Sequence, residues 1–355
     1  MFLSYLELEN FRNIGSQGIN LQRGITVLWG ENGGGKTNIL ESIYFLSYLR
    51  PLRRGGVAQL VRHGERESRI TGKVRSGRDG EDLSVFLKRG ERVTALRQNK
   101  RAASFREYVG GLYSVAFVPE DIRELFGPPP GRRRLIDQSA AMGKPLHLDV
   151  LMAYLQCLRQ RNRLLFLIRE GRAEESTLEP FDREMSRLSM ELSSRRREAL
   201  QKIEGHFQSC YEAIDGEGRV RLEGKIAFDE QEFARSRARD IERGASTYGP
   251  HRDDFSVLVD GEDGRLFASQ GKKRVIAVAF RLSQALLLHD LSGRSPVMLL
   301  DDITSEIDPG RRRRLLNMIE KLGFQTIVTT TDATLIREGF SREVRALKVQ
   351  KGSIL

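Results

Sequence analysis

The sequence predicts an α/β fold with an inserted, mainly helical lobe, and three observations carry that prediction. An apolar run at residues 25–29 leads into the glycine-rich segment GENGGGKTN (30–38), after which Ile39, Leu40, Ile43 and Leu46 recur at helical spacing. That is strand, turn and helix. A second apolar run at residues 297–300, more than 200 residues downstream, ends in Asp301 and Asp302. Between the two lie long stretches whose apolar residues repeat every three and four positions, the pattern of amphipathic helices.

In order, residues 3–8 alternate apolar and polar side chains, as a half-buried strand does. A turn at 10–15 precedes strands at 19–21 and 25–29. Short strands follow at 70–74, 83–88 and 92–96, separated by the turn segments SGRDGED and RGE. A β-rich region therefore flanks the glycine-rich segment. The texture changes after Val115, where FVPED (117–121) leads to a break at GPPPG (127–131) and then to RRRLID (132–137). Val150, Leu151, Tyr154, Leu155, Leu158, Leu165 and Ile168 then mark one long helix. Phe181, Met185, Leu188, Leu192, Leu200, Ile203, Phe207 and Tyr211 mark a second, beyond a polar break at 171–180. The two are expected to lie antiparallel, and neither sustains the heptads of a long coiled coil. Residues 275–288 read as a further helix before the acidic strand, and 327–331 as a strand ending TTT. The division expected is one lobe from residues 1–115 and 245–355 (lobe I) and an inserted helical lobe from 116–244 (lobe II).

The spacing GxxxxGK[ST] has a physical reason. Glycines let backbone N–H groups close around phosphates, and the start of the following helix favours negative charge. Gly30, Asn32, Gly33, Gly34, Gly35 and Asn38 would form the cradle. Lys36 would reach the β- and γ-phosphates of ATP, and Thr37 would set its hydroxyl on Mg²⁺. Asp301 and Asp302 end a strand at the edge where open α/β sheets bind ligands. In a phosphate-loop ATPase the first acid of such a pair holds Mg²⁺, and the second orients or activates water. Ser269, Gln270, Gly271, Lys272 and Lys273 open the 275–288 helix and make a second phosphate-binding device. YGPHRDD (248–254) contains a histidine and two acids, and is expected to be a structural turn returning the chain to lobe I rather than a metal site. His63 receives no role.

Composition bounds the function. A chain of 355 residues suggests about two domains, and 39% hydrophobic content can build a sizeable core. No run of 18 apolar residues is present and no leader pattern opens the chain, so a cytoplasmic protein off the membrane is expected. Cys157 and Cys210 are too few for a disulfide framework and stand in no metal-ligand spacing; both are expected to pack helices. The net charge of +11 is clustered, at Arg50, Arg53 and Arg54, at 132–134, at Arg159, Arg161 and Arg163, at 195–197, at Arg235, Arg237 and Arg239, and at 311–314. A polyanionic partner is implied, nucleic acid before membrane. Few aromatics accompany these arginines, which favours duplex phosphates over stacked single strands.

Together these motifs resemble the RecF family of bacterial recombinational-repair ATPases, on the SMC-like branch of the ATP-binding-cassette proteins. The likeness rests on LELENFRNI (6–14), GENGGGKTNILESI (30–43), FVPED, GRRRLID (131–137), YGPHRDD, SQGKKR (269–274), LLDDITSEID (299–308) and TTTD (329–332). SQGKK stands where the cassette signature LSGGQ would be and departs from it. The resemblance implies a cassette-type ATPase head and an ATP-dependent homodimer. In it Ser269, Gln270, Gly271 and Lys272 of one chain would meet the γ-phosphate held by Lys36 of the other. Thr37 and Asp301 would hold Mg²⁺. Asp302 occupies the place where many cassettes carry a catalytic Glu, which implies slow, DNA-stimulated hydrolysis suited to a timer. Ser305, Glu306 and Asp308 fall at the D-loop, Thr330 and Thr331 where a switch histidine usually stands, and Arg12 where SMC-like heads reach the phosphates.

The family's work is implied in the same way. Its members bind double-stranded and gapped DNA and act with RecO and RecR to help load RecA at junctions of single and double strands. This is part of DNA replication, recombination, repair and the SOS response to DNA damage, and it places the chain at the nucleoid. Arg53, Arg54, Arg132 and Arg133 are the candidates for DNA contact. Two other classes remain open. The long insertion, the missing switch histidine and the basic charge weigh against a transporter's nucleotide-binding subunit. The lack of a separate nuclease segment weighs against a nuclease-coupled ATPase.

Overall fold

The computed structural model describes residues 1–77, 79–144, 146–303, 307–334, 339–341 and 344–355. They form two compact units. Met1–Asp121, Ser209–Gly218 and Ser269–Leu355 make the first, and Ile122–Gln208 with Arg219–Ala268 the second. The strands of the first are β1 (Phe2–Phe11), β2 (Ile14–Asn20), β3 (Ile25–Trp29), β4 (Glu67–Ser76), β5 (Asp79–Lys88), β6 (Thr94–Arg97), β7 (Lys100–Arg101) and β8 (Ser114–Phe117), and its first helices are α1 (Lys36–Tyr48) and α2 (Phe105–Tyr108). The middle of the chain carries α3 (Glu120–Phe126), α4 (Pro129–Gly143), α5 (Leu146–Arg169), α6 (Glu179–Asp215), β9 (Val220–Lys225), α7 (Glu230–Arg243), β10 (Asp254–Val259), β11 (Glu262–Asp263) and α8 (Gly264–Phe267). Then α9 (Gln270–Ser292), β12 (Val297–Leu300), α10 (Pro309–Leu322), β13 (Thr326–Thr330), β14 (Arg345–Gln350) and β15 (Ser353–Ile354) complete the first unit.

That unit holds two sheets among its described residues. One is antiparallel, in the order β2-β1-β4-β5-β6-β7, and the other runs β15-β14-β3-β13-β12-β8. In the second sheet β14, β3, β13, β12 and β8 are parallel. Every residue of β12 and β13 is buried, as expected of central parallel strands covered on both faces. The helix α1 is buried at nearly every position from Ile39 to Ser47. A shared core unites it with Leu6 and Leu8 of β1, Ile70 of β4, Leu299 of β12 and Ile327 of β13. Of the described helices α9 alone is long and apolar enough to cross a bilayer, and it is spent instead as a core helix, with Val275 to Leu282 all buried.

The register levels the ends of three strands. Thr330 of β13 lies beside Trp29 of β3, and Leu300 of β12 beside Val328. The turn after β3, the acids after β12 and the threonines of β13 thus share one edge, where parallel sheets place their ligands.

The second unit is mainly helical but carries a three-stranded antiparallel sheet, β11-β10-β9. Its core joins Val150, Tyr154 and Cys157 of α5 to Met185, Leu188 and Leu192 of α6 and Phe233 of α7, so the expected pair of helices is a trio. GPPPG, read as a break, is the start of α4: Pro129 fits the first turn because its missing N–H would be unpaired there anyway. Ser209–Gly218, expected in the inserted lobe, belongs to the first unit. The units divide at 121/122 and 268/269 where the sequence suggested 115/116 and 244/245; the second shift follows because β10, which begins inside YGPHRDD, pairs with β9. That motif belongs to the second unit, and its acids are interior ion-pair partners. Asp253 accepts from Arg196 and Ser193, and Asp254 from Arg132. His251 completes a bond with Tyr154 through Nδ1 at 2.7 Å and faces the Ser246 carbonyl through Nε2. No cluster of metal-ligating residues occurs among the described residues.

Candidate nucleotide site

The loop after β3 is shaped by glycines where side chains do not fit. Gly30 (φ 145°) would drive a Cβ to 2.3 Å from the Val349 carbonyl oxygen, and Gly35 (φ 112°) one to 3.0 Å from Asn13. Both conformations disfavour any residue with a Cβ. The turn is held from behind: the Gly352 N–H donates to the Gly34 carbonyl at 2.8 Å, and Asn38 donates to Asn13 at 2.7 Å. The result is a cleft of about 330 Å³ lined by Asn32 to Asn38, Arg53, Pro119, Asp301, Asp302 and Thr329 to Thr331.

Lys36 is buried and donates to the carbonyls of Gly30 (2.6 Å) and Glu31 (2.8 Å). Burial pulls its ammonium below the ordinary lysine value, and Asp301 and Asp302 offset part of that. Thr37 donates its hydroxyl to Asp301, 2.9 and 3.0 Å from the two carboxylate oxygens, and Thr329 donates to the same carboxylate at 2.6 Å. Burial pushes the Asp301 carboxyl above the usual carboxylate range, the two threonine hydroxyls pull it back, and neighbouring Asp302 adds to the rise. A buried carboxylate facing a hydroxyl and a second acid is a donor set for a hard divalent cation, all oxygen. That oxygen set fits a cation such as Mg²⁺.

Asp302 is half exposed at the cleft and adopts a left-handed backbone (φ 50°). Its N–H donates to Thr329 Oγ1 at 2.9 Å. Arg12 is not among the residues lining the cleft: it is bound to the fully buried Glu41, with Nε 2.9 Å from Oε2, and to the Gln59 carbonyl. Arg53, expected on DNA, shares Glu41 (2.7 Å) and Asn38 (2.6 Å) and forms part of the cleft wall. Sequence reasoning missed Glu41 and Thr329. Their signal was a charged residue inside the buried helix ILESI and a threonine level with the acidic pair.

Other expected residues have different surroundings. Ser269 caps α9, accepting from the Lys272 N–H; Ser269 and Gln270 are exposed, and Gly271 and Lys272 half-buried. Thr330 and Thr331 border the cleft. Asp308 caps α10 by accepting from the Arg311 N–H at 3.0 Å, while Ser305 and Glu306 lie outside the described residues. Arg132 corrects the sequence reading: it is 1% exposed and forked onto Asp254 at 2.7 and 2.8 Å, so its charge is spent inside the second unit and cannot meet a DNA phosphate. Arg133 is half-buried against the Asp253 carbonyl, and Arg54 is exposed.

Residues 2–354 match the family model for the RecF/RecN/SMC N-terminal domain. The chain is 33% identical over 376 aligned positions to the DNA replication and repair protein RecF of Myxococcus xanthus, covering 100% of this chain and 97% of that one. It is 32% identical to RecF of Geobacillus kaustophilus, covering 100% and 99%. Among solved structures it resembles the recombination mediator protein RecF-ATP of the RecFOR pathway, with a TM-score of 0.86, 27% identity and coverage of 100% and 98%. The corresponding RecF-ATPrS structure gives 0.88, 26%, 99% and 97%. An Smc head bound to the C-terminal winged-helix domain of ScpA matches at 0.60 with 16% identity over 100% of this chain and 96% of that one, a likeness of fold alone.

Proposed function

The chain belongs to the RecF family, within the RecF/RecN/SMC group, and from that premise we propose that it is an ATP-switched DNA-binding protein of bacterial replication and recombinational repair. The observation that carries the reading is the bond from Thr37 to Asp301, which closes two motifs 264 residues apart around one cleft. Lys36 and the loop N–H groups would hold the phosphates of ATP, and Arg53 on the cleft wall would add a second cation. Mg²⁺ held by Thr37 and Asp301 would supply charge neutralisation at the β- and γ-oxygens.

Hydrolysis follows from the same residues. Asp302 accepts a proton from water as the water oxygen bonds to the γ-phosphorus, and the bond to the bridging oxygen breaks to leave ADP and phosphate. Asp is shorter than Glu, so turnover is slow, and DNA stimulates it. The exposed Ser269–Gln270 end of α9 meets the nucleotide of a second copy, so ATP drives two chains together on DNA and hydrolysis times their release. With RecO and RecR, in the cytoplasm at the nucleoid, such a dimer marks gapped DNA where RecA is loaded.

The test is duplex and gapped-DNA binding titrated against salt, with and without ATP and Mg²⁺. ATP tightens binding of the wild type and leaves Lys36→Met unchanged, with a salt slope that reports the phosphates neutralised. Equal binding with and without ATP overturns the reading.

A further inference from the structure

We propose that Arg274 is the positioning residue for Asp302, tying the acid of the cleft to the helix whose free end carries Ser269. The proposal rests on the reading of Asp302 as the group that takes the proton of water. Arg274 lies in the second turn of α9 and is 3% exposed, with its guanidinium 6.0 Å from the centroid of the Phe117 ring. Its Nη2 donates to the Asp302 carbonyl and stands 3.6 Å from Asp302 Oδ2. The second distance is beyond hydrogen-bond reach, so the pull on the carboxylate is electrostatic.

Asp302 needs such a hold. Its φ of 50° lies in the left-handed region, which among residues with a Cβ Asp and Asn enter most readily but still as single, locally held residues, and here both of its backbone groups are held, the N–H by Thr329 and the C=O by Arg274. Releasing the carbonyl lets the backbone relax to the right-handed or extended region. That swings Cβ, and with it the carboxylate, away from its place at the cleft. Thr329 Oγ1 accepts from the Asp302 N–H while donating to Asp301, which holds the N–H side of residue 302 and leaves its carbonyl side to Arg274. Arg274 therefore acts on hydrolysis through Asp302, and because it stands five residues after Ser269 on one helix, movement of that helix end reaches the acid.

The experiment compares Arg274→Met, Arg274→Lys, Asp302→Asn and the double variant Arg274→Met/Asp302→Asn. Phosphate release gives kcat, and the fluorescence of Trp29, the single tryptophan, gives ATP affinity. Methionine keeps the packing on Phe117 but donates nothing. The expected result is ATP affinity within about twofold of wild type for both Arg274 variants, with kcat down about tenfold or more in Arg274→Met. The loss is smaller in Arg274→Lys, which keeps the charge without the fork. The double variant is no slower than Asp302→Asn alone, since both changes act on one group. Unchanged kcat in Arg274→Met, or a double variant slower by the product of the two losses, overturns the proposal. If Arg274→Met does not fold, Arg274→Lys decides alone: wild-type kcat in it overturns the proposal. Should Asp302→Asn itself keep wild-type kcat, the assignment of the acid has failed, and the positioning role falls with it for that separate reason.

Discussion

Replacing Glu41 by alanine removes the anchor behind the phosphate loop. The carboxylate is fully buried and accepts from Arg12 Nε at 2.9 Å, Arg12 Nη2 at 3.2 Å, Arg53 Nη2 at 2.7 Å and the Arg53 N–H at 3.3 Å. Stranding one side of a buried ion pair costs about 3–5 kcal/mol. The two arginine side chains keep 19% and 33% of their exposure, so water recovers part of this and a loss of about 2–3 kcal/mol is expected. At the size of this unit that lowers Tm by about 5–10 °C. Denaturant unfolding followed by Trp29, which ends β3 in the same unit, reads it directly. Burial pushes the Glu41 carboxyl up, but its bonds to Arg12 and Arg53 outweigh that and hold it below the ordinary glutamate value. A depressed folded value contributes stability that is present above the unfolded value, about pH 4.3, and is lost as pH falls through the folded one. The gap between wild type and Glu41→Gln is therefore full at neutral pH and closes in acid. A loss under about 1 kcal/mol, below the range for stranding a buried partner, or a gap that widens in acid, refutes the reasoning.

Lys36→Met weakens ATP binding by about 100-fold or more, through loss of a charge-assisted contact to phosphate, while the thermal midpoint without nucleotide moves little; Trp29 fluorescence checks both. Arg132→Met strands Asp254 inside the second unit and destabilises it by about 2–4 kcal/mol, yet leaves the salt slope of DNA binding unchanged. Arg54→Ala, at an exposed position, lowers that slope by about 0.9. Cys157 and Cys210 are both buried, with burial pushing the Cys210 thiol up to about 11. Neither reacts with a disulfide reagent at neutral pH until denaturant is added, and counting released thiolate checks this.

The parallel sheet and its cleft were legible because their residues are constrained by local chemistry. Residues 25–29 and 297–300 are strands with the bounds the apolar runs gave, and each motif follows directly on its strand. What was not legible depends on contacts between distant residues. The arginine clusters read as a surface for a polyanion, yet Arg132, Arg161 and Arg196 point inward to Asp254, to Asp182 and Asp240, and to Asp137 and Asp253. Arg314 closes the last carbonyls of α6, where its charge suits the helix end. A run of like charges along a helix does not reveal which members turn in. The strands β9 and β10 escaped notice because 220–225 alternates around charged residues and a glycine, and its partner, 254–259, lies beyond a whole helix. Arg53 could not be told from Arg54 until Glu41 was seen to claim it.

The central claim is that one chain's α9 end completes another chain's nucleotide site, and mass in solution tests it most directly. Wild type, Lys36→Met and Ser269→Arg are compared with and without ATP and Mg²⁺. The account predicts that ATP converts the wild type from monomer to dimer, while Lys36→Met, which binds the nucleotide much more weakly, and Ser269→Arg, which blocks the approach of the second chain, remain monomeric. A wild type that binds ATP and stays monomeric even with DNA present contradicts it, and would leave residues 269–273 as no more than the capped start of a core helix.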